Sequence, residues 1–520
     1  MKQNIQKNFF GGITAAIIAL PLALAFGVAS GLGATAGIYG AIILGFFASF
    51  LGGTPTQISG PTGPMTVVIA AAVISLNGEI GLIVATILLA GIFQILFGIF
   101  KIGKFVQFIP YPVISGFMSG IGIIIIILQI NPYLGLSSDA SVLSVLFSLP
   151  KNIPNINNDA FIIASLTLLI MFFTPTKVVK IIPAPLIALL TITPLSIYLN
   201  FDIQTIGTIP STLPSLVYPT VALENYIKIV SLGFTLAVLG TIDTLLTSIV
   251  ADSITGTKHN PNKELIGQGI GNSICAFVGA LPGAGATMRT VINVKSGGTN
   301  KLSGIVHSFV LLIIVFFLAP MASQIPLALL AGVLIKVGID ILDYRFLSIW
   351  KDSPRSDLYV MLVVFFITVF IDLITAVGVG IVLASLLIVY RITQETNITL
   401  VDNYDSTSDA NIKYNLTDKK IRVIKINGAF FFGSSTAFES KANSILDTKV
   451  VVIDILDTPF LDITAIFTLK DLILKLQVED IKVIIVSKTK DKQQLLKLNK
   501  TGRFDNVDFY KNMNGALKNI

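Results

Sequence analysis

Residues 81–100 read GLIVATILLAGIFQILFGIF, a run with no charged side chain. At about 1.5 Å per residue a helix of that length matches the roughly 30 Å hydrocarbon core of a bilayer. Similar runs recur along most of the chain, which is 53% hydrophobic and 12% charged over 520 residues. Within a bilayer every backbone N–H and C=O must find a partner inside the protein, so the expected class is an α-helical polytopic membrane protein. Spans are expected near 12–31, 35–52, 55–76, 81–100, 108–130, 159–174, 181–199, 229–250, 265–281, 283–297, 302–321, 325–342, 357–372 and 374–391. That is fourteen transmembrane segments, with both termini on one side. The first is too long for a signal-peptide core and has no clear cleavage site, so it is read as a span and not a leader. The lone Cys275 lies in an apolar run and says little about compartment.

Basic residues test this layout, because Lys and Arg in short loops favour the cytoplasm. Loops placed inside hold Lys101, Lys104, Lys177, Lys180, Lys258, Lys263, Lys301, Arg345, Lys351 and Arg355; those placed outside hold Lys151 and Lys228. The same dispersal over loop ends accounts for the net charge of +7 without a nucleic-acid partner. After Arg391 the character changes. DNYDSTSDANIKYNLTDKK is polar, and beyond it short β-branched runs such as KVVVIDIL and KVIIVSK alternate with helical-period segments. The expected division is a membrane domain over 1–395, a linker over 396–417, and a soluble cytoplasmic α/β domain over 418–520 with one mixed sheet.

Two stretches contradict the helical rule: SGPTGPMTVV at 59–68 and PGAGATMRTV at 282–291. Proline and glycine at this density break a helix, and irregular backbone at membrane depth is tolerated only where it is buried in protein or lines a cavity. Superposing Met65 on Met288 places Gly60 on Gly283 and Val68 on Val291, an offset of 223 residues. The breaks fall in the third and tenth spans, the third of each seven-span half, and an odd number of spans per half requires inverted repeats. Two short helices starting in mid-membrane would each present free N–H groups and about half a positive charge, together an anion site. Gly63, Gly285 and Ala286 would let a small ion approach the backbone, with Thr62 and Thr287 offering hydroxyls. The alternative is that Pro and Gly only kink ordinary spans.

A charged side chain at the bilayer centre costs about several kcal/mol unless paired or hydrated. Asp243 lies midway along the eighth span, with Thr247 one turn later on the same face. With carbonyls from the broken tenth span they would form a hard-cation site of oxygen ligands; an internal ion pair between Asp243 and Arg289 is the alternative. Lys336 and Asp340, one turn apart, are expected to pair. His307 is expected to be a hydrogen-bonded packing residue and not a proton relay.

The segments LPLALAFGVASGLGATAGIYG, GGTPTQISGPTGPMTVV, IGTIPSTLPSL, ADSITGTKHNPNKELIGQGIGN and LPGAGATMRTVINVKSGG together resemble the SulP anion transporter family, and the C-terminal piece resembles its STAS domain. The resemblance covers essentially the whole chain. It implies a seven-plus-seven inverted-repeat fold, a core domain moving against a gate domain, and a homodimer in a bacterial inner membrane. Within the family the wording is most similar to sodium-dependent bicarbonate transporters of cyanobacteria. That likeness implies an anion held at Thr62 and Ala286, sodium held by Asp243, Thr247, Gly285 and Thr287, and matches at Phe26 and Arg289. Departures are Leu22, where many sulfate-type members carry glutamine, and Leu456 and Ile463, where STAS relatives often have serine. Phospho-switching at Ile463 is thereby excluded, and Thr464 is the one hydroxyl left nearby.

The leading expectation is sodium-coupled uptake of bicarbonate. The runner-up is proton-coupled or exchange transport of sulfate or another anion, and a different class is an anion sensor without net transport. No enzyme is suggested, because the chain offers neither a nucleotide loop nor a metal-ligand cluster, and GAGATM does not follow a soluble strand. No cofactor beyond the coupling ion is expected, and the partners are a small anion and membrane lipid.

Overall fold

Proline and polar caps start the helices, and glycine ends one of the longest. In the computed structural model, which describes residues 2–104, 109–137, 141–179, 182–207, 214–220, 223–371, 373–401, 403–405, 413–415, 420–443, 448–499 and 504–520, the chain divides into two compact units, Met1–Ile381 and Val382–Ile520. The helices of the first part are α1 (Lys2–Ala29), α2 (Ala34–Leu51), α3 (Gly63–Ser75), α4 (Ile80–Ile99), α5 (Tyr111–Leu128), α6 (Ile130–Tyr133), α7 (Val142–Asn152), α8 (Asn158–Phe173) and α9 (Thr176–Val179). They continue as α10 (Ala184–Tyr198), α11 (Tyr226–Thr255), α12 (Pro261–Phe277), α13 (Thr287–Lys295), α14 (Lys301–Ala322), α15 (Leu327–Ile341), α16 (Tyr344–Ser348), α17 (Arg355–Phe370) and α18 (Leu373–Glu395). Pro110, Pro183, Pro326 and Pro354 occupy the N-caps of α5, α10, α15 and α17, where a fixed φ and a missing donor cost nothing. Asn260 caps α12 by accepting from the Lys263 N–H at 3.1 Å, and Gly256, at φ 69°, closes α11.

Among the described residues, six helices are each long and apolar enough to cross a membrane, and a bent pair, Val142–Asn155 with Asn158–Phe173 at 118°, would make a seventh. α3, α10 and the apolar part of α14 are shorter. The stretches expected as the third and tenth spans hold the short helices α3 and α13, each preceded by extended backbone. Lys180 and the middle of the 206–216 loop lie outside the described residues.

Packing sorts the helices into two groups that each draw on both halves of the chain. α1 to α4 pack with α11 to α14; α5 to α8 pack with α10, α15 and α17. α1 and α3 also touch helices of the second group.

The second unit carries a five-stranded sheet in the order β3–β6–β7–β8–β9. Two residue pairs in the first unit form β1 (Ser59–Gly60) and β2 (Ala284–Gly285); the rest are β3 (Asn397–Val401), β4 (Asn403–Asp405), β5 (Lys413–Asn415), β6 (Ile421–Asn427), β7 (Val450–Asp454), β8 (Lys482–Val486) and β9 (Asp508–Tyr510). β6 to β9 are parallel and β3 is antiparallel to β6, so the sheet is mixed. One face packs Ile424, Ile426, Val451, Ile453, Val483 and Ile485 under α19 (Phe432–Asn443), α20 (Ile463–Val478) and α21 (Thr489–Lys497); the other packs Val423, Val452, Ile484 and Val486 under α22 (Met513–Lys518). Burial on both faces explains the unbroken apolar strands. Ile463 opens α20 with its side chain exposed, and Thr464 beside it is exposed too.

One expectation needs correcting. The segment read as a linker over 396–417 is not simply a connector: its first residues form β3, and β4 and β5 pair with each other within it. Ile398 and Leu400 alternate with polar neighbours and turn toward the domain's core, a period-two pattern too short to stand out beside the polar residues that follow. Positions 402, 406–412 and 416–417 lie outside the described residues. A segment covering 418–520 should consequently be less stable than one covering 396–520, by about 2 to 4 kcal/mol for the lost burial of two aliphatic side chains. Urea unfolding of the two segments followed by circular dichroism checks this, and equal midpoints would contradict it.

Candidate functional site

Extended backbone crosses the middle of the first helical group twice, and the two crossings hold each other. β1 and β2 pair antiparallel, Ser59 opposite Gly285 and Gly60 opposite Ala284. The Ala286 N–H extends the pairing to the Ile58 carbonyl at 2.8 Å, and the Ile58 N–H donates to Thr290 Oγ1 at 3.0 Å. Pro61 and Pro282 favour the extended form, since each fixes φ and biases its predecessor away from helix. Glycine permits the closeness: a Cβ on Gly283 would overlap the Gly60 carbonyl, and one on Gly60 would lie 2.5 Å from Arg289 Nη1.

Beyond each strand a helix begins. α3 starts at Gly63 with Thr62 as N-cap, and α13 starts at Thr287 with Ala286 as N-cap, one residue later than the Met65–Met288 superposition implies. Neither start has a side-chain cap, and Thr62 Oγ1 is buried without a hydrogen-bond partner. Each start therefore offers unsatisfied N–H groups and about half a positive charge. Because the strands are antiparallel, the two helices leave the crossing from opposite ends. On their Cβ side the glycines are packed against protein. Gly63 packs its Cα face against Ile125 and Ile341, and the space beside Gly285 is filled by the Gln57 amide.

α11 runs beside this crossing. Thr244 Oγ1 accepts from the Gly285 N–H at 3.0 Å; Thr247 Oγ1 donates to the Gly285 carbonyl at 3.0 Å and lies 2.7 Å from Thr287 Oγ1. Asp243, one turn before Thr247, lies next to Thr62 and within Coulombic reach of Arg289, while its buried Oδ2 has no hydrogen bond of ordinary geometry. The structure thus brings Thr247, Gly285 and Thr287 together at the start of α13, and sets Asp243, one turn away on the same helix, beside Thr62 at the start of α3.

Arg289 is 2% exposed, donates through Nη2 to the Pro61 carbonyl, and leaves Nη1 without a hydrogen-bond partner. Among the described residues no salt bridge joins it to Asp243, so the ion-pair alternative is replaced by a tie between α13 and the first break. Phe26 is buried on α1, which packs against both α3 and α13, and Leu22 is buried one turn earlier. Lys336 pairs with Asp340 as expected and sits 5.2 Å from the Phe172 ring. His307 is fully buried but neither ring nitrogen has a partner, so it packs without the expected hydrogen bond.

Sequence reasoning missed the polar residues that surround the crossing: Gln57, Ser248, Glu264, Gln268 and Asn272, all buried. A signal existed in ELIGQGIGN, where Glu264, Gln268 and Asn272 recur every fourth residue and so share one helical face.

Gly283→Ala tests the crossing directly. The added methyl meets backbone, which cannot rotate away, so the variant should lose about 1 to 3 kcal/mol of stability. Thermal unfolding in detergent measures this, and an unchanged midpoint would mean that the two strands are not in contact.

Comparison with known proteins places this arrangement in context. The sulfate permease family model matches residues 5–364, and the STAS domain model matches 415–516. The bicarbonate transporter BicA of Picosynechococcus sp. is 42% identical over 95% of this chain and 91% of its own length. The solved transmembrane domain of a cyanobacterial bicarbonate transporter BicA superposes with a TM-score of 0.68 at 45% identity, covering 74% of this chain and 98% of that one. The murine anion transporter Slc26a9 shares the fold at a TM-score of 0.87 and 19% identity, over 100% of this chain and 92% of that one. The chain is a multi-pass membrane anion transporter belonging to the sulfate permease (SulP) family, with a C-terminal STAS domain.

Proposed function

We propose that this transporter imports bicarbonate together with sodium, by alternating access, across the inner membrane of a bacterium. The observation that carries the reading is the crossing of β1 and β2, which leads into two uncapped helix starts, that of α3 beside a buried carboxylate oxygen of Asp243. Identity to BicA proteins, named as bicarbonate transporters, supports the choice of anion.

The anion would be held at the starts of α3 and α13. Backbone N–H groups of the first turns of α3 and α13 would donate to it together with the Thr62 hydroxyl beside Asp243, and Arg289 behind Gly60 would add positive charge. Ala286, the N-cap of α13, would keep the approach narrow, and Phe26 on α1, which packs against both short helices, would close the site on an apolar side. The cation would be held by Asp243, Thr247, Thr287 and the Gly285 carbonyl. The fit is chemical: one carboxylate, two hydroxyls and a carbonyl are all oxygen donors, and the unpartnered Asp243 Oδ2 calls for a positive neighbour. Bound sodium supplies a charge opposite to the anion's, so the helix ends need not hold the anion alone. Thr247, itself bonded to Thr287, would then orient the Gly285 carbonyl, which belongs to the strand that leads into α13.

Transport would follow from the two helical groups. The group containing α1 to α4 and α11 to α14 carries the whole site, so moving it against the other exposes the same residues to either side. The chain would act as a homodimer, with both termini and the STAS domain in the cytoplasm, where the basic loop residues also lie. A second reading, proton-coupled or exchange transport of sulfate or another anion, draws support from the sulfate permease match, since helix starts select charge and not shape.

Labelled-bicarbonate flux into proteoliposomes with and without a sodium gradient separates the two. Uptake driven by a pH gradient with sodium absent would favour the second reading. Asp243→Asn should abolish sodium dependence and nearly all uptake, whereas Thr247→Ala should shift the sodium requirement and leave the maximum rate near normal. Thr62→Ala removes one neutral hydrogen bond, worth about 0.5 to 1.5 kcal/mol, and should raise the half-saturating bicarbonate concentration several-fold. Ala286→Asp sets like charges together in a low dielectric and should stop transport while the protein still reaches the membrane; normal uptake by that variant would remove the anion from this site.

A further inference from the structure

We propose that one face of α12 is a rail that fixes the spacing of the two helix starts, with Glu264, Gln268 and Asn272 as positioning residues. The three side chains stand at four-residue intervals, are at most 1% exposed, and each grips a different part of the crossing. Glu264 Oε2 accepts from the Gly53 and Thr54 N–H groups at 2.7 and 2.8 Å, in the chain entering the first break. Its Oε1 accepts from Gln57 and Gln268 Nε2, both at 2.9 Å. Gln268 Nε2 also reaches Ser59 Oγ of β1 at 2.5 Å. One turn on, Asn272 Oδ1 accepts from the Gly283 N–H at 2.9 Å, and its Nδ2 donates to the Gly283 carbonyl at 3.0 Å and to Gln94 Oε1 at 2.8 Å. Three successive turns of one helix thus hold the entry to the first break, the first strand, and the residue leading into the second strand.

Two further features make this a rail and not a set of convenient bonds. α12 is seated without slack: a Cβ at Gly267, Gly269 or Gly271 would come within 2.6 to 2.7 Å of α2 or α4, or of Gly52, which follows α2. A shift of α12 would therefore carry those helices with it. The rail also connects to the candidate cation helix, because Gln57 Oε1 accepts from Ser248 Oγ at 2.9 Å and Ser248 follows Thr247. A carboxylate buried with four donors and no cation bonded to it is a costly way to fill space, which an apolar side chain of similar volume would fill more cheaply. What the carboxylate adds is direction, since it collects donors from the loop, from Gln57 and from Gln268 at one point.

The geometry of the rail stands by itself; its bearing on uptake rests on the anion reading given above. The test therefore has two arms. Spin labels at Ile74→Cys and Lys295→Cys, exposed at the far ends of α3 and α13, report the spacing of the two short helices in the full-length chain carrying Cys275→Ala. Asn272→Ala should broaden and shift that distance distribution. Asn272→Asp, which keeps the acceptor for the Gly283 N–H but sets an oxygen against the Gly283 carbonyl, should fall between it and the parent, and serves if the alanine variant fails to fold. In proteoliposomes the half-saturating bicarbonate concentration should rise about ten-fold for Asn272→Ala, the size expected when two backbone hydrogen bonds are lost, with the maximum rate per folded transporter retained.

An unchanged distance distribution in both variants would overturn the rail, whatever the flux. A purely structural role would lower the yield of folded protein and leave both the distances and the half-saturating concentration as they were, and that result also overturns it. Shifted distances with an unshifted half-saturating concentration would uphold the rail and count against the anion reading. If the parent chain carries no bicarbonate, that reading fails alone and the label distances still decide.

Discussion

Backbone amides and carbonyls in a dry interior must bond to something, and in this chain two breaks satisfy one another. A single extended stretch across a helical membrane protein would leave polar groups stranded at a cost of several kcal/mol each. Pairing β1 with β2 lowers that cost for both halves at once, and the helices that follow, α3 and α13, begin without a side-chain cap. In the proposed function it is the N–H donors of these uncapped starts that receive the anion. Arg289 adds to the same positive centre while hydrogen-bonded to the Pro61 carbonyl, so its charge is fixed in place by the break it serves.

Around this pair the neighbouring helices divide the work. α11 touches the second break through Thr244 and Thr247, and brings Asp243 beside Thr62 at the start of α3. α12 supports both breaks from the other side through a buried amide and carboxylate network. Ser248 and Gln57 join the two helices, so the carboxylate of the candidate cation site and that of the rail lie at two ends of one polar layer. The C-terminal domain is built on a different principle, a parallel sheet buried on both faces and finished at one edge by the antiparallel β3.

Much of this was legible in the sequence because it is local. Apolar run length marks helices, Pro61, Pro64 and Pro282 mark the breaks, and Asp243 with Thr247 four residues on declares a polar face in an otherwise apolar helix. What stayed hidden depends on which distant segments meet. Nothing near Gly285 says that its missing side chain accommodates Gln57, a partner 228 positions earlier. The stripe of Glu264, Gln268 and Asn272 could be seen as periodic, but its meaning lies in Gly53, Ser59 and Gly283, none of which is close in the chain. His307 shows the opposite case: a buried imidazole suggests a hydrogen bond, yet among the described residues neither ring nitrogen has a partner. β3 was passed over because two inward side chains are too few to make an alternation visible.

The long separation of β1 from β2 also has a meaning for biogenesis. Gly60 leaves the ribosome 224 residues before Ala284, its partner across the crossing, which at about 5 to 20 residues per second is an interval of roughly 10 to 45 seconds. Throughout that interval the first break has no native backbone partner; Glu264 and Gln268, which will bond to it, emerge only near its end, and Arg289 after it. The nascent first half therefore cannot reach its final arrangement in lipid alone. It must wait in a hydrated or protein-lined environment, such as the insertion machinery provides, until the second half arrives to complete it.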